Sequence, residues 1–209
     1  MSSYESNQST LSSSSSITLS YTQLTDKEIK IILSLSKLIN RIIKKNFKKN
    51  KNNLSYNKIK KDKFFSLYIH NISIYDYIYR IIKYTQIHIS TLIISFVQLN
   101  NYLKKSKNYL SLNNFFNLFI TSCLINAKFY EDKCCSLSIF AKVGDISIED
   151  LKIFEFEFYH KLNFSLYIRE DLYINYYNFF LSNNCSGNAL DSKIGNNNNK
   201  KNSLNLIYQ

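Results

Sequence analysis

Apolar residues recur three and four positions apart along most of the chain between residues 26 and 181. This spacing places them on one face of an α-helix. The pattern therefore predicts a series of helices through the middle of the chain. Their expected bounds are about 26–43, 74–85, 90–104, 112–130, 136–142, 148–162 and 169–181.

Three of these helix starts carry the pattern of a capping box. In this pattern a hydroxyl caps an exposed backbone amide, and an acid three residues later accepts a bond in return. The pairs are Thr25 and Glu28, Ser73 and Asp76, and Ser147 and Asp150. At the end of the short helix, Gly144 is expected to take the left-handed conformation that terminates a helix before Ser147 caps the next one.

The stretch from Phe115 to Phe129 (FFNLFITSCLINAKF) is apolar nearly all round. A helix of this kind is buried by its neighbours on most sides. We therefore expect it to be the central helix of the fold.

Polar segments divide the chain. Residues 1–24 are rich in Ser and Thr, residues 182–209 are rich in Asn, and both are predicted to be disordered because they are too polar to pack. Residues 44–63 carry much of the positive charge and are predicted to be a linker, so that 25–63 comprise an N-terminal helix and a basic linker. The compact domain is expected at 64–181.

Composition narrows the fold class and the kinds of site. The 209 residues include no Pro and only three Gly, which disfavours β-sandwiches, barrels and glycine-rich phosphate loops. His70, His88 and His160 have no Cys, Ser or carboxylate partner at catalytic spacing. We therefore expect an all-α protein without catalytic residues, a cofactor or a small-molecule substrate.

The pattern of cysteines indicates the kind of cellular compartment in which the protein is expected. Cys123, Cys134, Cys135 and Cys185 form no CxxC pair and have no His-rich partner, so neither a zinc site nor a redox motif is predicted. Free thiols are typical of reducing compartments. The polar N-terminal segment does not resemble a signal peptide, and no apolar run reaches membrane-spanning length. We expect a protein of the cytoplasm or nucleus that has no membrane partner.

Three segments, taken in order, resemble one protein family. They are ISIYDYIYRIIKY (72–84), AKFYEDKCCSLSIFAKVGDIS (127–147) and IEDLKIFEFEFYHKLNFSL (148–166). Their Ser-x-x-Asp-Tyr, Ala-Lys-Phe, Ala-Lys-Val-Gly and Leu-x-x-x-Glu motifs have the order found in cyclins of the P type, called U type in plants. The resemblance covers about residues 64–181. It implies a five-helix cyclin box with flanking N- and C-terminal helices.

The resemblance also implies a partner and a site. A cyclin is a regulatory subunit that binds a cyclin-dependent kinase, forms a heterodimer with it, and holds the regulatory helix of the kinase in its active position. Lys128 and Glu155 match the polar pair with which cyclins contact that helix and its neighbouring loop. The apolar contact positions of the family match Ile125, Phe129, Tyr159, Phe164 and Leu166.

The chain departs from the family pattern beside the first box helix. Arg80 there normally meets an Asp of the second helix, and the matching residue in this chain is Asn100. Because an uncompensated buried charge is costly, we expect Arg80 to reach solvent or another acceptor. We assign structural roles to Arg80, Asn100 and Gly144.

Two other functions remain open. The departure at Asn100 leaves room for a cyclin-box scaffold that does not activate a kinase. The formal charge of +12 and the basic run at 44–63 raise a transcription-related role with nucleic acid. Transcription factors of this fold have two boxes in tandem, whereas this chain has room for one, and its lysines cluster in a predicted loop. The sequence therefore favours a kinase over nucleic acid as the partner.

Overall fold

The computed structural model describes residues 24–49 and 62–182, and within these ranges it contains helices and no strand. The prediction of an all-α fold is confirmed. The helices are α1 (Asp26–Lys49), α2 (Ile74–Thr85), α3 (Ile89–Ser106), α4 (Leu112–Tyr130), α5 (Leu137–Gly144), α6 (Ile148–Leu162) and α7 (Glu170–Leu181). The Ser-rich segment through residue 23 and the Asn-rich segment 183–209, both predicted to be disordered, lie outside the described residues.

The central helix of the fold is α4. Every residue from Asn114 to Ala127 is buried. Helices α3, α5 and α6 pack against α4, and α2 packs against α5. These five helices form the arrangement that the sequence resemblance implies. The apolar character of 115–129 on all sides matches this surrounded position, although the last two residues of that stretch leave the core.

Helix α1 belongs to the same core. It packs against α2 and α7. Its apolar face is fully buried, with exposures of 0–1% at Ile31, Ile32, Leu35, Leu38 and Ile39. The flanking N-terminal helix is therefore held by burial of apolar surface, which contributes about 25 cal/mol per Å² removed from water.

The end of α1 corrects the predicted linker. The sequence predicted a helix end near residue 43, whereas α1 continues to Lys49. The Asn46 side chain donates a hydrogen bond to the Leu110 carbonyl oxygen (2.9 Å), which anchors the last turns. Lys48 and Lys49 in the final turn also suit the negative end of the helix dipole. Residues 50–61 of the predicted linker lie outside the described residues.

All three predicted pairs cap their helices, and at Thr25 the acid also accepts from the backbone N–H of the N-cap residue (2.8 Å), which completes a capping box. In each, the backbone N–H of the acid donates to the hydroxyl at 2.9–3.4 Å. The acid carboxylate accepts from that hydroxyl at 2.5–2.8 Å. The sequence did not reveal a fourth box at the start of α4, where Asn114 takes the place of the acid and Ser111 is the N-cap.

Gly144 does not have the conformation that the sequence predicted. It is the last residue of α5, and the left-handed residue is Asp145, with φ of 55°. A Cβ atom on Gly144 would lie 3.2 Å from two side-chain carbons of the fully buried Ile120. The structural role of Gly144 is therefore the close approach of α5 to α4, where a side chain would crowd the core.

A buried carboxylate caps α3 from another part of the chain. Glu131, which follows α4, accepts hydrogen bonds from the His88 backbone N–H (2.9 Å) and the Thr91 hydroxyl (2.5 Å). Its second oxygen lies 2.7 Å from Nδ1 of His88, and its side chain is 6% exposed. His88 is the N-cap residue of α3 but makes no side-chain cap bond of its own. Glu131 therefore supplies the missing cap.

We expect Glu131→Ala to lower the free energy of unfolding by about 1–3 kcal/mol, because it leaves the first turn of α3 without this acceptor. Chemical denaturation of the purified variant measures the change. Asp132→Ala is the matched control, since Asp132 is the next residue and is exposed. Equal midpoints for the two variants would contradict the assignment of Glu131 as a cap.

The described residues contain no disulfide among Cys123, Cys134 and Cys135, and Cys185 lies outside them. Burial raises the pKa of the Cys123 thiol to about 12, so this thiol stays protonated and unreactive at neutral pH. Within 24–49 and 62–182, no group of three or more His, Cys, Asp or Glu could hold a metal ion. No helix in those ranges has both the length and the apolar character needed to cross a bilayer.

Candidate functional site

Lys128 and Glu155 form an ion pair across two neighbouring helices. Lys128 lies in the last turn of α4 and Glu155 lies in the middle of α6, and Nζ is 2.6 Å from Oε1. The side chains are 39% and 16% exposed, respectively. A pair this exposed to solvent contributes about 0–1 kcal/mol to the stability of the free chain. The sequence matched these residues to one polar pair of the family, and the structure brings them together.

The packing of α4 on α6 produces this geometry. The buried stretch of α4 ends at Ala127, so Lys128 is the first residue after that stretch to reach the surface. On α6, Leu151, Phe154 and Phe158 are buried against the core. Glu155 lies at the edge of that buried face, because each residue advances about 100° around the helix. The Glu155 carboxylate therefore meets the Lys128 ammonium at the rim of the interface between the two helices.

Aromatic residues follow each member of the ion pair: Phe129 is next to Lys128, and Tyr159 is one helical turn after Glu155. Phe129 is 53% exposed and Phe164 is 66% exposed. The half-buried ring of Tyr159 stacks on Phe164, with centroids 6.0 Å apart and planes at 15°. Exposed aromatic rings of this kind are characteristic of protein interfaces rather than of solvated surfaces.

An unusual backbone conformation holds Phe164 at the surface. Asn163 and Phe164 have φ of 54° and 57°, the left-handed region that a bulky residue rarely adopts. The Phe164 backbone N–H donates to the Tyr159 carbonyl oxygen at 3.0 Å and closes the end of α6. Strain of this kind persists where the surrounding structure enforces it, and it is frequent at functional sites.

Two of the predicted contact residues are not surface residues. Ile125 is fully buried and Leu166 is 5% exposed. Ile125 precedes the point where α4 reaches the surface, and Leu166 turns into the core after α6. Both side chains belong to the hydrophobic core, so the exposed part of the predicted site consists of Lys128, Glu155, Phe129, Tyr159 and Phe164.

Tyr130 fixes the segment that carries Phe164, a role that the sequence did not reveal. Its hydroxyl donates to the Leu166 carbonyl oxygen (3.0 Å) and accepts from the Ile168 backbone N–H (2.9 Å). Burial raises the pKa of the Tyr130 hydroxyl, which keeps the donor proton in place at neutral pH. The Gln98 side chain donates a second bond to the Leu166 carbonyl oxygen (2.6 Å). The chain after α6 is thus tied to the end of α4.

Arg80 takes an acceptor other than Asn100. Its Nη2 donates to the Lys142 carbonyl oxygen at 2.9 Å, near the end of α5. The Nδ2 atom of Asn100 is buried and has no hydrogen-bond partner within the described residues. Arg80 therefore joins α2 to α5 instead of completing a pair with the second box helix.

A second ion pair on α6 has the same chemistry in a different place. Lys63 Nζ lies 2.8 Å from Glu157 Oε2, with side-chain exposures of 57% and 24%. Glu157 is two residues after Glu155, or about 200° around the helix. The two Lys–Glu pairs thus lie on different sides of α6, and the second one serves as an internal control for the first.

Comparison with known proteins agrees with this architecture. The sequence model of the cyclin family matches residues 3–166. Cyclin-U4-2 of Arabidopsis thaliana is 29% identical over 153 residues, which cover 70% of this chain and 67% of that protein. Cyclin-U4-3 of the same plant is 32% identical over 148 residues, covering 70% of this chain and 64% of its own length. Cyclin-P3-1 of Oryza sativa subsp. japonica is 28% identical over 149 residues, covering 70% and 61%.

The aligned region thus spans between 61% and 67% of the length of these relatives. The family match covers most of the chain, and the helices it covers have the arrangement expected of a cyclin box. The chain belongs to the cyclin family and is of the P/U type.

Proposed function

We propose that this cyclin binds a cyclin-dependent kinase and activates it, and that it has no catalytic activity of its own. The observation that carries the proposal is the Lys128–Glu155 ion pair at 2.6 Å, formed where α4 meets α6. Exposed Phe129 and Phe164 lie near this pair in the chain. A charged pair beside apolar rings offers a partner both directional contacts and surface to bury.

The mechanism is a shift of population in the kinase. A protein kinase is active when its own Lys–Glu ion pair is assembled to orient the phosphates of ATP, and that glutamate lies on a movable helix. A partner that binds the assembled conformation more tightly raises its population. Lys128 offers hydrogen-bond donors and Glu155 offers acceptors to exposed groups of that helix and its neighbouring loop.

Burial in the complex would strengthen these contacts. In the free chain the Lys128 ammonium is still partly solvated, so the pair contributes little. When aromatic side chains exclude water from the interface, the effective dielectric falls and each charge–charge contact becomes stronger. The same pair therefore contributes more to binding than to folding.

Affinity capture of the tagged protein from its own cells, followed by a kinase assay on the eluate, tests the proposal. We expect the wild type to retain a cyclin-dependent kinase and its activity. The Lys128→Glu/Glu155→Lys variant, which exchanges the two charges, should lose both. The matched control is Lys63→Glu/Glu157→Lys, which exchanges the charges of the other pair on α6 and should behave as wild type.

Each result has a distinct meaning. Kinase activity in the wild-type and control eluates alone supports both the function and the site. If a kinase is captured but stays inactive, the protein would be a scaffold that binds a kinase without activating it. Full retention by the exchanged variant would show that the interface lies elsewhere, and capture of no kinase would contradict the proposed function.

A further inference from the structure

The outer face of α1 carries a row of positive charges. Lys37, Arg41, Lys44 and Lys48 are spaced by three or four residues and so lie on one side of the helix. Together with Lys45 and Lys49 they line a shallow depression, open to solvent, on the surface of this single helix. We call these six residues the basic stripe. From Lys37 to Lys49 the stripe is about 18 Å long at 1.5 Å per residue.

The stripe has a single sign of charge. The acidic residues of α1 are confined to its first turn, at Asp26 and Glu28, and the sequence from residue 29 to 49 contains no Asp or Glu. The ion pairs among the described residues include none with Lys37, Lys44 or Lys48. A row of like charges attracts an anionic ligand from a distance.

The structure alters the sequence argument about these lysines. The sequence placed residues 44–63 in a linker, where spaced charges have no common direction. Because α1 continues to Lys49, Lys44 and Lys48 instead align with Lys37 and Arg41, and Lys45 and Lys49 flank that row. The charges are thus held on a helix whose opposite face is anchored in the core.

That anchoring disfavours a membrane as the ligand. An amphipathic helix binds a bilayer by inserting its apolar face among the lipids. The apolar face of α1 is already buried, with Leu35, Leu38 and Ile39 at 0% exposure. The cationic face is therefore left for a ligand bound by charge.

The residue types favour a repeated phosphate over a single one. Recognition of one phosphate typically uses converging Arg side chains in a fork. The stripe has one Arg and five Lys, four of the six in a row along α1 and the other two beside that row. Lysines act as separate point charges, and a line of them fits successive phosphates of a phosphodiester backbone. Phe47, which is 72% exposed and one turn from Lys44, offers a ring for base stacking.

The stripe is separate from the Lys128–Glu155 surface. Asn46 bonds to the Leu110 carbonyl oxygen, which places the end of α1 near the first residues of α4. Lys128 lies at the opposite end of α4, about 24 Å away along that helix. Both surfaces can therefore be occupied at once, and neither proposal depends on the other.

We propose that the basic stripe binds nucleic acid through the phosphate backbone, without sequence specificity. Fluorescence anisotropy with labelled single-stranded RNA and duplex DNA of mixed sequence tests this on the full chain. Contact with four to six phosphates would lower the affinity by about 10²–10³-fold between roughly 50 and 200 mM salt.

The variant Lys37→Glu/Lys44→Glu/Lys48→Glu tests the location. The control, Lys133→Glu/Lys142→Glu/Lys152→Glu, changes the net charge equally at three exposed lysines of other segments. Circular dichroism establishes that both are folded. We expect the stripe variant to bind at least about tenfold more weakly than the control, since three phosphate contacts become repulsive.

Three results would overturn the proposal: no binding by the wild type, binding that salt does not weaken, or equal losses in both variants. Equal losses would mean that net charge alone attracts the nucleic acid. The last measurement is binding of the protein to phosphatidylserine vesicles. Binding to vesicles without binding to nucleic acid would assign the stripe to a lipid surface and would also overturn the proposal.

Discussion

Replacing Phe64 with alanine is expected to lower the free energy of unfolding by about 3–5 kcal/mol. Phe64 is fully buried, although it belongs to the short segment before α2 and not to a helix. Its ring stacks on Phe154 (4.9 Å between centroids) and contacts the edges of Tyr102 (5.3 Å) and Phe158 (6.3 Å). Alanine would leave a cavity that these rigid rings cannot fill.

The effect should reach the candidate site. Phe154 and Phe158 are on α6 and flank Glu155 in the sequence, so a cavity beneath them loosens the helix that carries the carboxylate. The Phe64 carbonyl oxygen also accepts a bond from the buried Asn117 side chain (3.1 Å). A shift of this segment would leave that amide without its acceptor, which adds to the cost.

Urea denaturation of the wild type and variant measures the loss. Phe156→Ala is the matched control, because Phe156 is on α6 but 65% exposed. Truncation of an exposed side chain usually changes stability by less than about 0.5 kcal/mol. If Phe64→Ala cost no more than Phe156→Ala, Phe64 would not be the core residue that the structure describes.

The second large effect is on binding. Lys128→Ala is expected to weaken the affinity for the kinase by about 2–5 kcal/mol, or about 30- to 5,000-fold. Glu155 is 16% exposed in the free chain and would be covered further in the complex. Without Lys128 its charge would be buried unpaired, which is the main source of the loss.

The stability of the free chain should change much less. In water the pair contributes about 0–1 kcal/mol, so Lys128→Ala should unfold nearly as the wild type does. A large loss of affinity with a small loss of stability distinguishes an interface residue from a structural one. Calorimetric titration and thermal unfolding of the same preparation provide the two values.

A double-mutant cycle locates the coupling. Glu155→Ala and the double variant complete the cycle, and we expect the double loss to be clearly smaller than the sum of the single losses, because removal of both charges leaves neither unpaired. The corresponding cycle on Lys63 and Glu157 should show little effect on affinity. Additive losses at Lys128 and Glu155, or equal losses in the two cycles, would contradict the proposed interface.

Much of the fold was predictable because its determinants are local. The predicted bounds of α2, α4 and α6 agree with the structure, and those of α3, α5 and α7 differ by one or two residues at an end. Apolar periodicity and capping boxes both act within a few turns of the chain, so a single sequence contains them.

The prediction errors lie at positions whose conformation depends on contacts with residues far away in the sequence. The last six residues of α1 have few apolar side chains, and Asn46 keeps them helical through a bond to Leu110, 64 positions away. At the end of α5 the presence of Gly144 suggested the left-handed residue. The tight contact with Ile120 instead requires the glycine inside the helix, and Asp145 takes the turn.

For the candidate site, too, the sequence revealed some properties and not others. The residue types and spacing of Lys128 and Glu155 were visible in the sequence through the family resemblance. The sequence did not show which of the matched side chains are exposed to solvent. Ile125 and Phe129 are one turn apart on the same side of α4, yet Ile125 is fully buried and Phe129 is 53% exposed. Their chemistry is alike, and the difference arises because the neighbouring helices cover α4 up to Ala127 and no further.

The sequence by itself determined the all-helical class, most helix bounds and the family, since these depend on local periodicity, capping and motif order. The tertiary structure decided which of the matched apolar residues reach the surface. It also decided that Arg80 bonds to the Lys142 carbonyl oxygen and that the lysines of α1 form one row. The physical reason is that exposure and direction depend on where packed neighbours begin and end, and that information is distributed over the whole chain.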